Sequence, residues 1–507
     1  MSYSLLTEAW VPADDGRLLS LNDIFTDAAI AGIGGRPTEH VAIFKFLLAI
    51  AQSACTPADE KEWAELTPSI LAERCLNYLS KWSDRFDLYG EHPFMQMPQV
   101  RELILANSAN DPKSTAKPLG TIMPEIAEGN TSVTSHGQIY RKLTDAEKAL
   151  LLLTNMNFVL GGKQVVNSVV LTPGYTGKSV TGKSGPAVGA RGFLHSFIEA
   201  QSVLETLLYN LWTHERLGSQ ENREIYPAGL GHSAWERMPE GEDSEDARAF
   251  KNSLMGHLVP LPVFCLIEGD EIYFTEGIPY GTMKDGSFEP TVSYDRSGKN
   301  VAAKNADPEK RPWREIGALL IPSSKGHFRN IQLEVFSGHL ARIKENPETV
   351  VRYWAGGLSV TNNIGEIGVK GTDDFVESMF EIQVKNFDER WYAVFLKQLG
   401  LIDGISKQLY ACVKAYNADL KQIDAKIPER ASNIFWFRSE SLAQQLIDAC
   451  DIDDMDESEK VLVRLHKKFF GIACCIYDEM CPSDSVRQLQ AWAGHHPASR
   501  TKSKKKK

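Results

Sequence analysis

Residues 177–184 read GKSVTGKS and satisfy every specified position of the pattern GxxxxGK[ST]. In a nucleotide site that pattern is a glycine-rich loop whose backbone N–H groups cradle phosphates, with a lysine on the outer phosphates and a hydroxyl on Mg²⁺. The chemistry needs two neighbours: a buried strand ending at the first glycine, and a helix starting at Lys-Ser whose first N–H groups face the anion. Neither is expected here. Val169-Val170-Leu171 is separated from Gly177 by Thr-Pro-Gly-Tyr-Thr, and Ser184 is followed by GPAVGARG, whose glycines and proline oppose helix propagation. No downstream apolar strand ends in a clear metal-binding acid.

Other catalytic constellations are thin. The sequence has no His-Asp dipeptide, no HExxH and no GxSxG, and its 12 histidines are scattered. His92, in GEHPFMQ, is open to two readings: a ligand, or a structural histidine beside a proline turn. The cysteines (Cys55, Cys75, Cys265, Cys412, Cys450, Cys474, Cys475, Cys481) form no CxxC pair, so zinc-knuckle and thioredoxin-type spacings are missing and most read as small buried apolar residues. No cofactor, no metal and no catalytic residue are expected.

Charge points elsewhere. The 507 residues carry a formal net charge of −11, which argues against indiscriminate coating of nucleic acid. Yet Lys148 to Ile198 contains no Asp or Glu, where the chain's average density would place roughly 6 or 7, and holds Lys148, Lys163, Lys178, Lys183 and Arg191. Such a window suits a surface that must not repel an anion. Burial explains the absence of charge over Leu150–Leu160 but not over the Gly- and Lys-rich part that follows. The opening MSYSLLTEAWVPADDGRLLSL lacks a secretory pattern and no apolar run reaches the ~20 residues of a membrane span, so a soluble cytoplasmic protein without membrane partners is expected.

These residues need elements to position them. Apolar residues three and four apart predict helices over 40–54, 59–85, 145–155 and 193–212. LVPLPVFCLIEGDEIYFTEG, from Leu258, reads as strands and hairpins broken at Glu268-Gly269-Asp270, and 280–312 as polar loops. Helical patterns over about 375–420, 430–450 and 457–480, with a shorter one near 484–493, predict an antiparallel bundle. The tail TKSKKKK reads as disordered, either solubilising or touching nucleic acid. The expected class is α+β: a mixed N-terminal domain over 1–374, a C-terminal four-helix bundle over 375–495 and a basic tail over 496–507.

Several stretches together resemble the CasA family, the large subunit of type I-E CRISPR Cascade complexes. They are LLTEAWVPADDGRLLSLNDIF near the start, GEHPFMQ, LLTNMNFVLGGKQ, GFLHSFIEAQSVLETLLYNL, AGGLSVTNN and ASNIFWFRSESLAQQLIDA, in the family's order over roughly residues 4–490. The resemblance implies a noncatalytic subunit that reads the protospacer-adjacent motif on double-stranded DNA, starts strand separation and R-loop formation, and recruits the helicase-nuclease. The target sequence itself is left to the guide RNA. Its other partners would be the remaining Cascade subunits.

By position, Gly161, Gly162 and Lys163 in VLGGK match the family's glycine loop, which lets backbone approach the minor groove without Cβ atoms intervening. Lys163 stands where the family usually has a third glycine; it adds a phosphate contact or blocks the closest approach. Lys284 is the nearest match to the family's groove-reading lysine, or a solvated turn residue. The wedge glutamine falls at Asn362, flanked by Thr361 and Asn363, where helix capping is the competing role. Val133, Thr134, Ser135 and His136 match a loop contacting the guide RNA and neighbouring subunits. Lys299, Lys304, Arg311 and Arg314 are candidates for holding the displaced strand, and Lys178 and Lys183 for DNA phosphates. Two other classes compete: a phosphate-loop NTPase or nuclease-bearing large subunit, and a purely structural scaffold.

Overall fold

The structure, a computed structural model, describes residues 2–108, 115–123, 141–160, 169–175, 184–316, 327–363, 366–368, 375–422, 424 and 426–498. The chain divides into two compact units that interleave in sequence. The first comprises Met1–Ala306, Pro322–Arg342 and Arg352–Glu377, and the second Asp307–Ile321, Ile343–Val351 and Ser378–Lys507. The class is α+β, as expected.

In the first unit, the Pro37–Ala54 helix starts on a proline, whose fixed φ suits the first helical turn, and is apolar nearly all round, so it runs through the core. Against it pack the Pro68–Lys81 helix and the Asp145–Phe158 helix; Thr144 and Glu147 form a reciprocal capping box on the latter. Val263–Glu268 and Glu271–Glu276 form the expected hairpin, turning at Gly269 with φ 63°.

The GEHPFMQ stretch also belongs to this core. Phe94 is fully buried within an aromatic cluster of Phe46, Phe86 and Trp235, and the Gln96 side chain donates to Leu88 O and accepts from Ile267 N–H. His92 itself is exposed.

Three expectations fail. The helix expected over 193–212 is a strand, His195–Glu199, followed by a short helix, Val203–Tyr209, capped by Ser202. The strand pairs antiparallel with Arg352–Gly356, and Phe197 stacks on Phe44 with centroids 3.8 Å apart. Non-local pairing and burial override the local period. The helix expected from 375 begins only at Glu389, capped by Asp388; before it Phe375–Gln383 is a strand with alternating burial. Part of 280–312 is ordered as Ser293–Asp295, paired with Ala302–Ala303 and with Phe328–Asn330.

The second unit is built on Glu389–Asp419, Lys426–Ser439, Ala443–Cys450, Met455–Met480 and Val486–His495. The first and fourth run in the same direction, since Trp391 bonds Asp451 at their starts and Tyr416 meets Tyr477 at 6.3 Å toward their ends. Among the described residues, no helix is long and apolar enough to cross a membrane.

Candidate nucleic-acid interface

Several sequence candidates of the first unit flank segments hydrogen-bonded to one strip of backbone, residues 184–194. The Asp145–Phe158 helix delivers the chain to Val159, whose carbonyl accepts from Gly185 N–H at 2.8 Å, while Asn157 O accepts from Ala187 N–H at 3.2 Å. The stretch leading into VLGGK therefore lies against the stretch leaving GKSVTGKS. A Cβ at Gly185 would fall 2.2 Å from Asn157 O, so only glycine permits this approach.

Further along the strip, Arg191 O accepts from Val360 N–H at 3.1 Å, the residue before Thr361. On its other side Gly192 O accepts from Ala306 N–H at 2.9 Å, and Lys304 O accepts from Leu194 N–H at 3.0 Å. Gly192 has φ 81°, and a Cβ there would lie 1.8 Å from Leu358 O. At Gly357 a Cβ would lie 2.2 Å from Phe193 O. Glycine spacing thus locks the Thr361–Asn363 hairpin, the roots of both glycine-lysine stretches and Lys304 onto one scaffold.

A buried polar network supports the strip from below. His195 is fully buried, with ring nitrogens 2.8 Å from Ala187 O and 2.8 Å from Thr291 Oγ1. Burial first, and then the Lys45 charge, push its pKa down to about 3, so the ring is neutral. Thr291 lies beside Glu289, whose carboxylate is 2.7 Å from Lys45 Nζ with both side chains buried. Burial pushes the Glu289 carboxyl up and the Lys45 ammonium down, despite their mutual attraction.

The individual residues fall as follows. Thr361, Asn362 and Asn363 form a strand paired with Glu366–Gly368, Asn362 opposite Ile367. The helix-capping role open to the two asparagines is therefore removed, because a strand and not a helix holds them. Lys299 is exposed in the bend between Asp295 and Ala302, and Lys304 sets its ammonium 4.6 Å from the Phe328 ring. The Lys284 backbone sits in a single 3₁₀ turn, Met283–Asp285. Gly161, Gly162, Lys163, Lys178, Lys183 and Val133, Thr134, Ser135 and His136 lie outside the described residues.

Three cations have internal partners. Lys148 is buried, donates to Gly269 O at 2.7 Å and lies 3.3 Å from Asp270. Within the second unit, Arg311 pairs with Glu440 at 2.6 Å, and Arg314 pairs with Asp403 at 3.3 Å while lying 4.5 Å from the Trp436 ring. Sequence reasoning missed the strip itself. Its signal was the spacing of Gly185, Gly189 and Gly192 inside the acid-free window.

The phosphate-loop context fails in three dimensions as well. Residues 169–175 form no strand, and 184–192 is a run of turns with no helix to present N–H groups. Among the described residues, no group of His, Cys, Asp or Glu side chains converges as a metal ligand set.

The architecture is that of solved CasA and Cse1 chains. The structure of Thermus thermophilus CasA (Cse1) superposes with a TM-score of 0.68 at 17% identity, covering 99% of this chain and 100% of that one. Thermobifida fusca Cse1 gives 0.71 at 19%, covering 99% and 98%, and a chain of a CRISPR RNA-guided surveillance complex gives 0.70 at 15%, covering 98% and 99%. Comparison with curated proteins gives no match. The family model of CRISPR-associated protein Cse1 matches residues 4–475, and the chain belongs to that family.

Proposed function

We propose that the chain is the noncatalytic large subunit of a type I-E CRISPR Cascade complex, acting with guide RNA and the other Cascade subunits. In that role it reads the protospacer-adjacent motif on duplex DNA, opens the first base pair and recruits the helicase-nuclease. The observation that carries this reading is the glycine-built strip 184–194, which roots VLGGK, the GKSVTGKS stretch and the Thr361–Asn363 hairpin on one scaffold. A residue held in a strand pair is suited to a wedge, because the pair is stiffer than a loop and unstacking one step costs a few kcal/mol. Asn362 is the proposed wedge. Lys163, Lys178 and Lys183 are proposed as phosphate contacts, because their sequence window holds no carboxylate to repel DNA. Val133–His136 are proposed to face guide RNA.

The test is motif-dependent duplex binding by the assembled complex in a mobility-shift assay. Asn362→Ala and Gly161→Asp should each weaken it by about tenfold, equivalent to ~1.4 kcal/mol. Unchanged binding by both variants would sink the assigned contacts. Two companion measurements separate the competing classes. An NTPase would release phosphate and lose that activity in Lys183→Ala, and a pure scaffold would give no crosslink from duplex DNA to residues 158–190.

A further inference from the structure

Between the first halves of the Glu389–Asp419 and Met455–Met480 helices lies a cavity of about 550 Å³, within the range of ligand sites. Its lining includes polar atoms without partners. Gln398 is 6% exposed and its Oε1 accepts no hydrogen bond, and the buried Nε2 of His466 and Nδ2 of Asn386 are likewise unpaired. A buried acceptor left empty costs about 1–3 kcal/mol, so Gln398 marks a place for a donor.

The electrostatics select the charge of that donor. Five carboxylates line the cavity, among them Asp451, Asp453 and Glu459, against only Arg390 and Lys397. Burial, and then the neighbouring carboxylates Asp448 and Asp453, push Asp451 up to about 6, although the Trp391 indole donates to it. A cation would relieve that cost. Val394, Leu401 and Val463, also in the lining, supply apolar surface for an aliphatic stem. A lysine ammonium on its four-carbon stem, with three donors, fits the empty Gln398 acceptor, the surplus of carboxylates and the apolar lining; the Asn386 amide, itself a donor, is not its partner.

The chain itself leads such a group toward the cavity. Gln408 Nε2 donates to Pro497 O at 3.2 Å, and the Ala498 N–H faces the Cys474 thiol, so the described chain ends in the groove between the same two helices. Gln408 is two turns beyond Leu401, and Cys474 three turns beyond Val463, on the same helix faces; both Leu401 and Val463 line the cavity. The distances along the groove are about 10 and 16 Å at ~1.5 Å per residue. Gly404 and Gly471 have nothing within 4 Å of a Cβ position, which leaves room beside both helices. Residues 499–507, SRTKSKKKK, span up to ~30 Å when extended.

We propose that the basic segment 499–507 lies along this groove and places a lysine ammonium in the acidic cavity, as an intrachain ligand of the helical unit. Lysines engaged there are withheld from nucleic-acid phosphates.

A fluorescein-labelled SRTKSKKKK peptide tests this by anisotropy, titrated into the full chain and into a chain ending at Ala498. The shortened chain should bind saturably. The full chain should bind at least about tenfold more weakly, because its own segment competes at a high effective concentration. In the shortened chain, Gln398→Leu and the exposed-site variant Asp453→Asn should each weaken binding by about threefold or more. Equal binding by full and shortened chains, or no weakening in either variant, overturns the proposal. Carbodiimide crosslinking of the full chain supplies a second readout. Intramolecular links from the segment's lysines to Asp451, Asp453 or Glu459 support it, and links only to other acids or to a second copy overturn it.

Discussion

Around residues 184–194 an added Cβ would fall 2.2 Å from Asn157 O at Gly185 and 1.8 Å from Leu358 O at Gly192, whereas Gly400, Gly404, Gly471 and Gly494 of the second unit meet nothing within 4 Å. The same residue type serves opposite ends. In the strip glycine lets two backbones touch, so position is fixed and substitution must break a hydrogen-bonded contact. In the second it only weakens helices and leaves open space beside them. Rigid roots suit a surface that must hold a wedge in register; an open groove suits a segment that comes and goes.

The sharpest way to break this contrast is Gly192→Ala. It combines a left-handed φ of 81° with a clash that neither backbone can relieve. The expected cost is at or above ~5 kcal/mol, the exceptional end for one substitution. Hydrogen exchange should show loss of protection at Leu194 and Val360, while the Glu389–Asp419 helix keeps its own. Normal protection at those amides would mean the strip is not held by glycine.

Next in size is the buried pair beneath the strip. Lys45→Met leaves Glu289 as an unpaired buried carboxylate, and breaking such a pair costs about 3–5 kcal/mol. Adding Glu289→Leu should recover most of the loss, because two apolar groups of similar shape need no partner. A double-mutant cycle in denaturant measures this, and additive losses would show that the pair is uncoupled.

Acid should separate the two units. Burial first, and then the Lys45 charge, push both His195 and His257 from the ordinary 6.5 down to about 3. Between those values the unfolded chain takes up protons that the folded unit refuses. Stability is complete above about 6.5 and falls as pH drops below it, by up to ~2 kcal/mol per histidine at pH 5. Asp451 has the opposite sign, since its folded pKa is raised to about 6. In the chain ending at Ala498, the second unit should gain stability as pH falls through 6, and Asp451→Asn should abolish the gain. Unfolding followed by hydrogen exchange at pH 7 and pH 5 reports both units at once. A common direction in both would contradict these assignments.

The helices were the legible part. Pro37–Ala54, Asp145–Phe158 and Met455–Met480 follow the 3.6 period and carry proline or side-chain caps at the expected ends. His195–Glu199 was not legible, because FLHSFIEAQ has helical spacing and its strand state depends on pairing with Arg352–Gly356, far away in sequence. FVESMFEIQ did alternate with period two, but was absorbed into the helical run that follows it. For the site, the acid-free window and VLGGK were visible as composition. The contacts Gly192–Leu358, Arg191–Val360 and Lys45–Glu289 were not, since each joins segments that only the fold brings together. GEHPFMQ, one of the stretches that carry the resemblance, places Phe94 in an aromatic core, so packing accounts for that residue.

The smallest expected effect probes the open side of the contrast. Gly404→Ala and Gly471→Ala lie in helix interiors with room for a methyl group, so each should stabilise the second unit by about 0.5–1 kcal/mol in the chain ending at Ala498. The gain arises from helix propensity and does not require a new contact. In the full chain the same substitutions add a methyl beside the proposed path of residues 499–507. A gain of equal size in both chains would mean that the segment runs clear of these glycines. A gain that shrinks only when the segment is present would place its backbone against them, and would show that these two glycines are kept open for an occupant, as Gly185 and Gly192 are kept closed around a carbonyl.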